Sequence, residues 1–190
     1  RALGSNPAEE QQLKTELLHD TKEIAEHAVS VLLAQQELRT VCDPASLVVS
    51  EFMTVRRRGS VQHLASRVSG LLSTGKTGWD AFAALFPAVT ASGIPKAAAI
   101  DAIRRLEPQP RQYYSGCALM VDAAGSMDAA LILRSMYRLQ QQCWLQAGAG
   151  IIDQSQPERE LTETIEKLSC LSAHLVSQDP VQQSRTPEII

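Results

Sequence analysis

Apolar side chains recur at helical spacing in some stretches of the chain and at alternate positions in others, and the boundaries between the two patterns outline the elements. Pro7 to Leu18 carries Glu9 and Glu10 early and Leu13, Leu17 and Leu18 later, which predicts an amphipathic helix. A second helix is expected from Thr21 to Val41, with Ile24, Val31, Leu32 and Leu38 as its apolar stripe and Asp43-Pro44 as its stop. Leu47 to Val55 and Ser60 to Leu72 are β-branched and partly alternating, so they predict a hairpin closed by the solvated turn Arg56-Arg57-Arg58-Gly59-Ser60. A Gly/Thr loop over Ser73–Gly78 leads to a short helix, Trp79 to Phe86, ended by Pro87. Ala88 to Ile94 reads as irregular, and Pro95 to Leu106 as an alanine-rich helix halted by Pro108 and Pro110.

Beyond it lie two long strand-like runs, Tyr113 to Asp122 and Met127 to Leu139, then a shorter one, Cys143 to Ala147, which together predict an antiparallel meander. A helix opening at Pro157 closes the order. The pattern predicts an α+β fold, antiparallel sheet layers covered by helices on one face, in one unit spanning residues 1–176. The polar, proline-containing segment 177–190 is expected to be a disordered tail.

Composition narrows the function classes. A net charge of −3 argues against nucleic acid as a partner, and no apolar run is long enough to cross a bilayer, so no membrane partner is expected. Cys42, Cys117, Cys143 and Cys170 are widely spaced, without the C-x-x-C of a metal or redox site, and are expected to be buried free thiols in a reducing, cytoplasmic setting. The chain opens at Arg1 without an initiator Met, as a processed or cleaved piece would.

Candidate chemistry gathers in two stretches. After the glycine turn Ala147-Gly148-Ala149-Gly150, the last helix places Glu160, Glu163 and Lys167 at i, i+3 and i+7 on one face, which suits a hard cation with a small anion. A solvated helix face with a Glu163–Lys167 pair is the plainer alternative. Asp20 is placed to cap the second helix, whose Glu23 and Glu26 are again i, i+3. If these helices face each other, four carboxylates converge, which requires a cation or raised pKa values, and an all-oxygen donor set points to magnesium rather than zinc. His63 shares a strand face with Val61 and Ala65 and points inward, as a satisfied core histidine also would. Thr90 to Lys96 precedes a helix N-terminus, either as an anion site or as a plain cap. Arg134, inside an apolar strand, needs a partner if it faces in, such as a ligand carboxylate. There is no nucleophile elbow, Walker loop or dinucleotide fingerprint.

Taken together, ELLHDTKEIAEH, GSVQHLASRVSG, LFPAVTASGIPKAAAIDAI, YSGCALM, DAALILRSMY and WLQAGAGIIDQSQPERELTETIEKL resemble, in family order, the chorismate-utilising enzymes: anthranilate, aminodeoxychorismate, isochorismate and salicylate synthases. TASGIPK and GSVQHL look most like the salicylate synthases of siderophore assembly. The resemblance implies that Glu26, in the KExxEH motif, ligates magnesium with Glu23 beside it, and that Glu160 and Glu163 are metal-site glutamates. It implies that Tyr114 and Arg134 bind the enolpyruvyl carboxylate of chorismate with a backbone contact from Gly148, and that Lys167 lies near the metal-bound carboxylate. His63 and Thr90 match positions beside the ring. The family's general base lysine and general acid glutamate lie in an N-terminal half that this chain lacks. The expectation is therefore the C-terminal half of a larger chorismate-binding sandwich, active only with its N-terminal half. The alternatives are an ammonia-using synthase component and a non-catalytic chorismate-binding module.

Overall fold

The computed structural model describes residues 3–58, 61–153, 155–172 and 174–176. The expected tail, 177–190, and the Gly59-Ser60 turn lie outside the described residues. Helix α1 spans Pro7–His19, with Asn6 capping it by accepting from the Glu9 amide at 3.0 Å, and α2 spans Thr21–Arg39. Asp20 caps α2, its Oδ1 accepting from the amides of Lys22 and Glu23 at 3.1 and 3.2 Å. That cap fixes where the first turn begins, and hence the direction in which Lys22, Glu23 and Glu26 project.

Strands β1 (Val48–Arg58) and β2 (Val61–Ser69) form the expected antiparallel hairpin, interrupted between Val49 and Thr54 by shifts in register. At this irregularity Met53 takes φ 51° and its amide leaves the ladder to donate to Ser66 Oγ at 3.0 Å. The same hydroxyl meets His27 Nε2 at 2.7 Å, pinning α2 onto the hairpin. Strict in-and-out alternation fails at the start of β2, where Val61 and Gln62 are both buried.

Helix α3 (Gly78–Leu85) begins at a capping box between Thr77 and Asp80. The stretch expected to be irregular contains a single helical turn, α4 (Val89–Ser92), ended by Gly93 at φ 98°, and α5 follows at Lys96–Leu106. The Lys96 ammonium pairs with Glu37 of α2 and donates to the Leu85 carbonyl at 3.3 Å, so it ties helices together rather than waiting for an anion.

The expected meander is not formed. Met127–Leu139 is broken at Ile132–Ser135, giving β3 (Cys117–Val121) paired with β4 (Met127–Leu131), and β5 (Met136–Leu139) paired with β6 (Gln142–Leu145). Arg134 therefore sits in the break at φ 49°, not in a strand. Helix α6 closes the order at Pro157–Ser172. The architecture is α+β, but among the described residues its sheets are three separate antiparallel hairpins instead of one covered layer. The core is small: Leu38, Val41 and Cys42, with Leu47, Val68, Ala81 and Ala84 packed around them. All four cysteines are free, and only Cys42 is buried, contrary to expectation; Cys143 is exposed. Among the described residues, no single helix is long and apolar enough to cross a membrane.

Candidate active site

The acidic residues of α2 and α6 meet through a lysine. Lys22 Nζ donates to Glu160 Oε1 at 2.8 Å and lies 3.7 Å from Glu26 Oε1. Glu160 is 5% exposed, and its other oxygen, Oε2, is buried without a hydrogen-bond partner, as is Glu26 Oε1. Burial pushes the Glu26 carboxyl above its ordinary pKa, Lys22 opposes the shift, and the charges of Glu23, Glu160 and Glu163 add to it. Burial pushes Glu160 up as well, but hydrogen bonds from Lys22 and Ser155, with the charges of Lys22 and Lys167, bring it below the usual value. The four acids thus lie within electrostatic reach of one another. They are not drawn into a ligand sphere: among the described residues, no group of three acidic, histidine or cysteine side chains is arranged to hold a metal ion. Two orphaned carboxylate oxygens around one ammonium make the donor set suitable for a hard cation, with Lys22 supplying the positive charge in this conformation.

One turn along α6, Lys167 Nζ lies 2.7 Å from Glu163 Oε1 and donates to the Gly148 carbonyl at 2.9 Å. The Glu163–Lys167 pair of a plain helix face is thus present, and so is a bond to the glycine turn. A Cβ on Gly148 would stand 3.0 Å from Tyr114 Oη, so the glycine turn packs closely against the phenol and a side chain there would press on it. Burial raises the pKa of Tyr114.

His63 is half-buried on β2 and accepts at Nε2 from Arg134 Nη2, whose Nη1 lies 3.5 Å from the Arg58 carbonyl. Because a guanidinium can only donate, the imidazole is neutral with its proton on Nδ1. Burial and the Arg134 charge lower its pKa to about 4. Lys167 and Glu163 also act on this imidazole, so β2, the β4–β5 break and α6 face a common region.

His63, Arg134, Lys167, Glu163, Gly148 and Tyr114 are therefore linked around one locale, with Glu23, Glu26 and Glu160 in the neighbouring acidic group. Thr90 stands apart: it is exposed on α4, and no described hydrogen bond joins its side chain to either group. Sequence reasoning missed Lys22, although its i, i+4 spacing to Glu26 could have shown it, and missed the His27–Ser66 bond, for which no local signal exists.

Comparison with known proteins identifies the family. The model of the chorismate binding enzyme family matches residues 1–173, and the chain belongs to that family. It is 52% identical to the salicylate synthase of Mycolicibacterium paratuberculosis over 93% of this chain and 39% of that protein. It is 42% identical to anthranilate synthase component 1 of Spirochaeta aurantia over 92% of this chain and 36% of that one. The menaquinone-specific isochorismate synthase of Escherichia coli superposes with a TM-score of 0.79 at 29% identity, covering 89% of this chain and 38% of its own. The chain spans about two fifths of the length of the curated relatives it matches.

Proposed function

We propose that this chain is the metal- and carboxylate-binding C-terminal part of a magnesium-dependent salicylate synthase, converting chorismate through isochorismate to salicylate and pyruvate in the cytoplasm for siderophore assembly. The observation that carries the choice is the greater identity to a salicylate synthase, 52% against 42% for an anthranilate synthase component, over nearly the same part of the chain. The site's chemistry supports it, since a small dianion matches an acidic cation seat beside an ammonium and a guanidinium.

Glu26, Glu160 and Glu163 would hold the magnesium, with Glu23 adding to the local negative charge. When bound, the metal neutralises a ring carboxylate and fixes its position. Arg134 and Tyr114 orient the enolpyruvyl carboxylate, and the Lys167 ammonium, tethered to Gly148, serves the ring carboxylate. His63, neutral at physiological pH, faces the ring as a hydrogen-bonding imidazole, and Thr90, apart from it on α4, would offer its hydroxyl to the ring only when substrate bridges the two. Water adds to the ring as its hydroxyl leaves, giving isochorismate. Transfer of a ring hydrogen to the enolpyruvyl group then releases pyruvate and leaves salicylate. The base that activates the water and the acid that protonates the departing hydroxyl come from the N-terminal half, so the chain alone is inactive.

An anthranilate or aminodeoxychorismate synthase component is the second reading, favoured by the 42% identity to anthranilate synthase component 1. Product mass separates them. Incubating chorismate with this chain and its N-terminal half should give magnesium-dependent salicylate and pyruvate, whereas an aminated product formed with ammonia would reject the first reading for the second.

A further inference from the structure

Arg111, in the segment between α5 and β3, gathers three parts of the chain around one guanidinium. Its Nε donates to both carboxylate oxygens of Glu107, at 3.0 and 2.8 Å, and its Nη1 donates to the Ala91 carbonyl at 2.6 Å. The guanidinium also lies over the ring of Tyr114, 5.7 Å from its centroid. Each partner matters for a different reason. Glu107 caps the C-terminal end of α5 and anchors the fork. Ala91 follows Thr90 in the single turn of α4, an element too short to hold its own orientation. Tyr114 sits between two residues in left-handed backbone conformation, Gln112 at φ 52° and Ser115 at φ 63°, a local geometry that persists only when its surroundings hold it. An ion pair with Glu107 alone would contribute little. The carbonyl and the aromatic face make this arginine a joint.

We propose that Arg111 is a positioning residue, which sets Thr90 and Tyr114 at one fixed separation and thereby tunes binding of the substrate's side-chain carboxylate. This rests on the chorismate chemistry proposed above. A planar fork can serve the carboxylate, the carbonyl and the ring face together, whereas the point charge of a lysine serves one of them at a time. Arg111 itself touches neither Arg134 nor the acidic cluster in the described contacts, so its influence travels through Tyr114 and the Ala91 carbonyl, one residue beyond Thr90.

The test uses the protein with its N-terminal half, chorismate as substrate, and the variants Arg111→Gln, Arg111→Lys and Arg104→Gln, the last at an exposed position on α5. Arg111→Gln should raise KM about tenfold while kcat falls less than about threefold, with the melting temperature within about 3 °C of the parent. Arg111→Lys should recover only part of the KM, and Arg104→Gln should change nothing. Combined with Tyr114→Phe, the Arg111→Gln effect on KM should shrink to about twofold or less, because both changes remove one coupled unit. Should Arg111→Gln fail to fold, the lysine variant carries the same KM and double-variant test. Full multiplicativity with Tyr114→Phe, or a parental KM in the Arg111 variants, overturns the inference while leaving the proposed function intact. A parent protein that neither binds nor turns over chorismate overturns both.

Discussion

His63 carries a charge state that experiment can read directly. Its pKa of about 4 lies below the unperturbed histidine value, because burial and the Arg134 guanidinium both disfavour the imidazolium. The unfolded chain therefore takes up a proton before the folded one does. The folded state keeps its full advantage above the unfolded pKa, and that advantage is lost as pH falls from about 6.5 toward 4. Discounted for the solvent that reaches this half-buried ring, the loss should be on the order of 1–2 kcal/mol. Thermal unfolding between pH 7 and 4 should show the decline, and His63→Gln should flatten it; an imidazole titrating near 6.5 by NMR would reject the assigned contact with Arg134. Glu160 gives a second test. Glu160→Gln keeps the shape of a side chain held by Lys22 but removes a charge, and should weaken magnesium-dependent ligand binding roughly 10- to 100-fold by calorimetry. Undiminished magnesium dependence in that variant would remove Glu160 from the cation seat.

At the scale of elements, α2 and the first hairpin are joined by a single hydroxyl. Ser66 Oγ accepts the Met53 amide expelled from the ladder and bonds His27, one residue after Glu26, so it bears on both the irregularity in β1 and the orientation of the acidic face. Ser66→Ala should cost about 1–3 kcal/mol in denaturant unfolding, because it leaves the Met53 amide without its partner in a partly buried place. A loss below about 0.5 kcal/mol would mean that water replaces the hydroxyl. The first hairpin and five of the helices were legible because their limits are written locally: Asn6, Asp20 and Thr77 cap, Pro87 and Pro108 stop, and the two periods differ. The break at Ile132–Ser135 was not legible, since Ala129 to Leu133 is continuously apolar and Arg134 takes a left-handed conformation with neither glycine nor proline to announce it. What holds it is long-range: the Ser115 amide donates to the Ile132 carbonyl at 3.0 Å, and Arg134 reaches His63. The site divides the same way. Periodicity placed Glu160, Glu163 and Lys167 on one face, and Glu23 with Glu26 on another, but the meeting of those faces through Lys22 depends on tertiary packing that spacing cannot encode.

For the whole molecule, surface area supplies the argument. The chain exposes 13,790 Å², whereas a folded monomer of its mass, 20.7 kDa, should expose about 8,900 Å². Residues 177–190, even counted as fully extended, account for only about 2,300 Å² of the difference. The remainder is of the size that a permanent partner covers. Much of it is apolar: Trp79, Leu106, Met120 and Ile151 are all more than half exposed, and an open cavity of about 340 Å³ between α3 and the β3–β4 hairpin is lined by Phe82, Phe86, Met127 and Leu131. Among the described residues, each strand of the two-stranded sheets also leaves one edge outside a sheet, a template for association. The proposed dependence on an N-terminal half therefore makes a physical prediction separate from catalysis. Alone, the chain should bind the hydrophobic dye 1-anilinonaphthalene-8-sulfonate strongly and self-associate in sedimentation. Supplying the N-terminal half should suppress dye binding, give an equimolar complex and shift the melting temperature upward by about 5 °C or more, since a partner that binds only the folded state stabilises it by mass action. A chain that is monomeric and dye-silent on its own, and unchanged by the added half, would show that these faces are closed without it, and the division of the site between two halves would have to be abandoned.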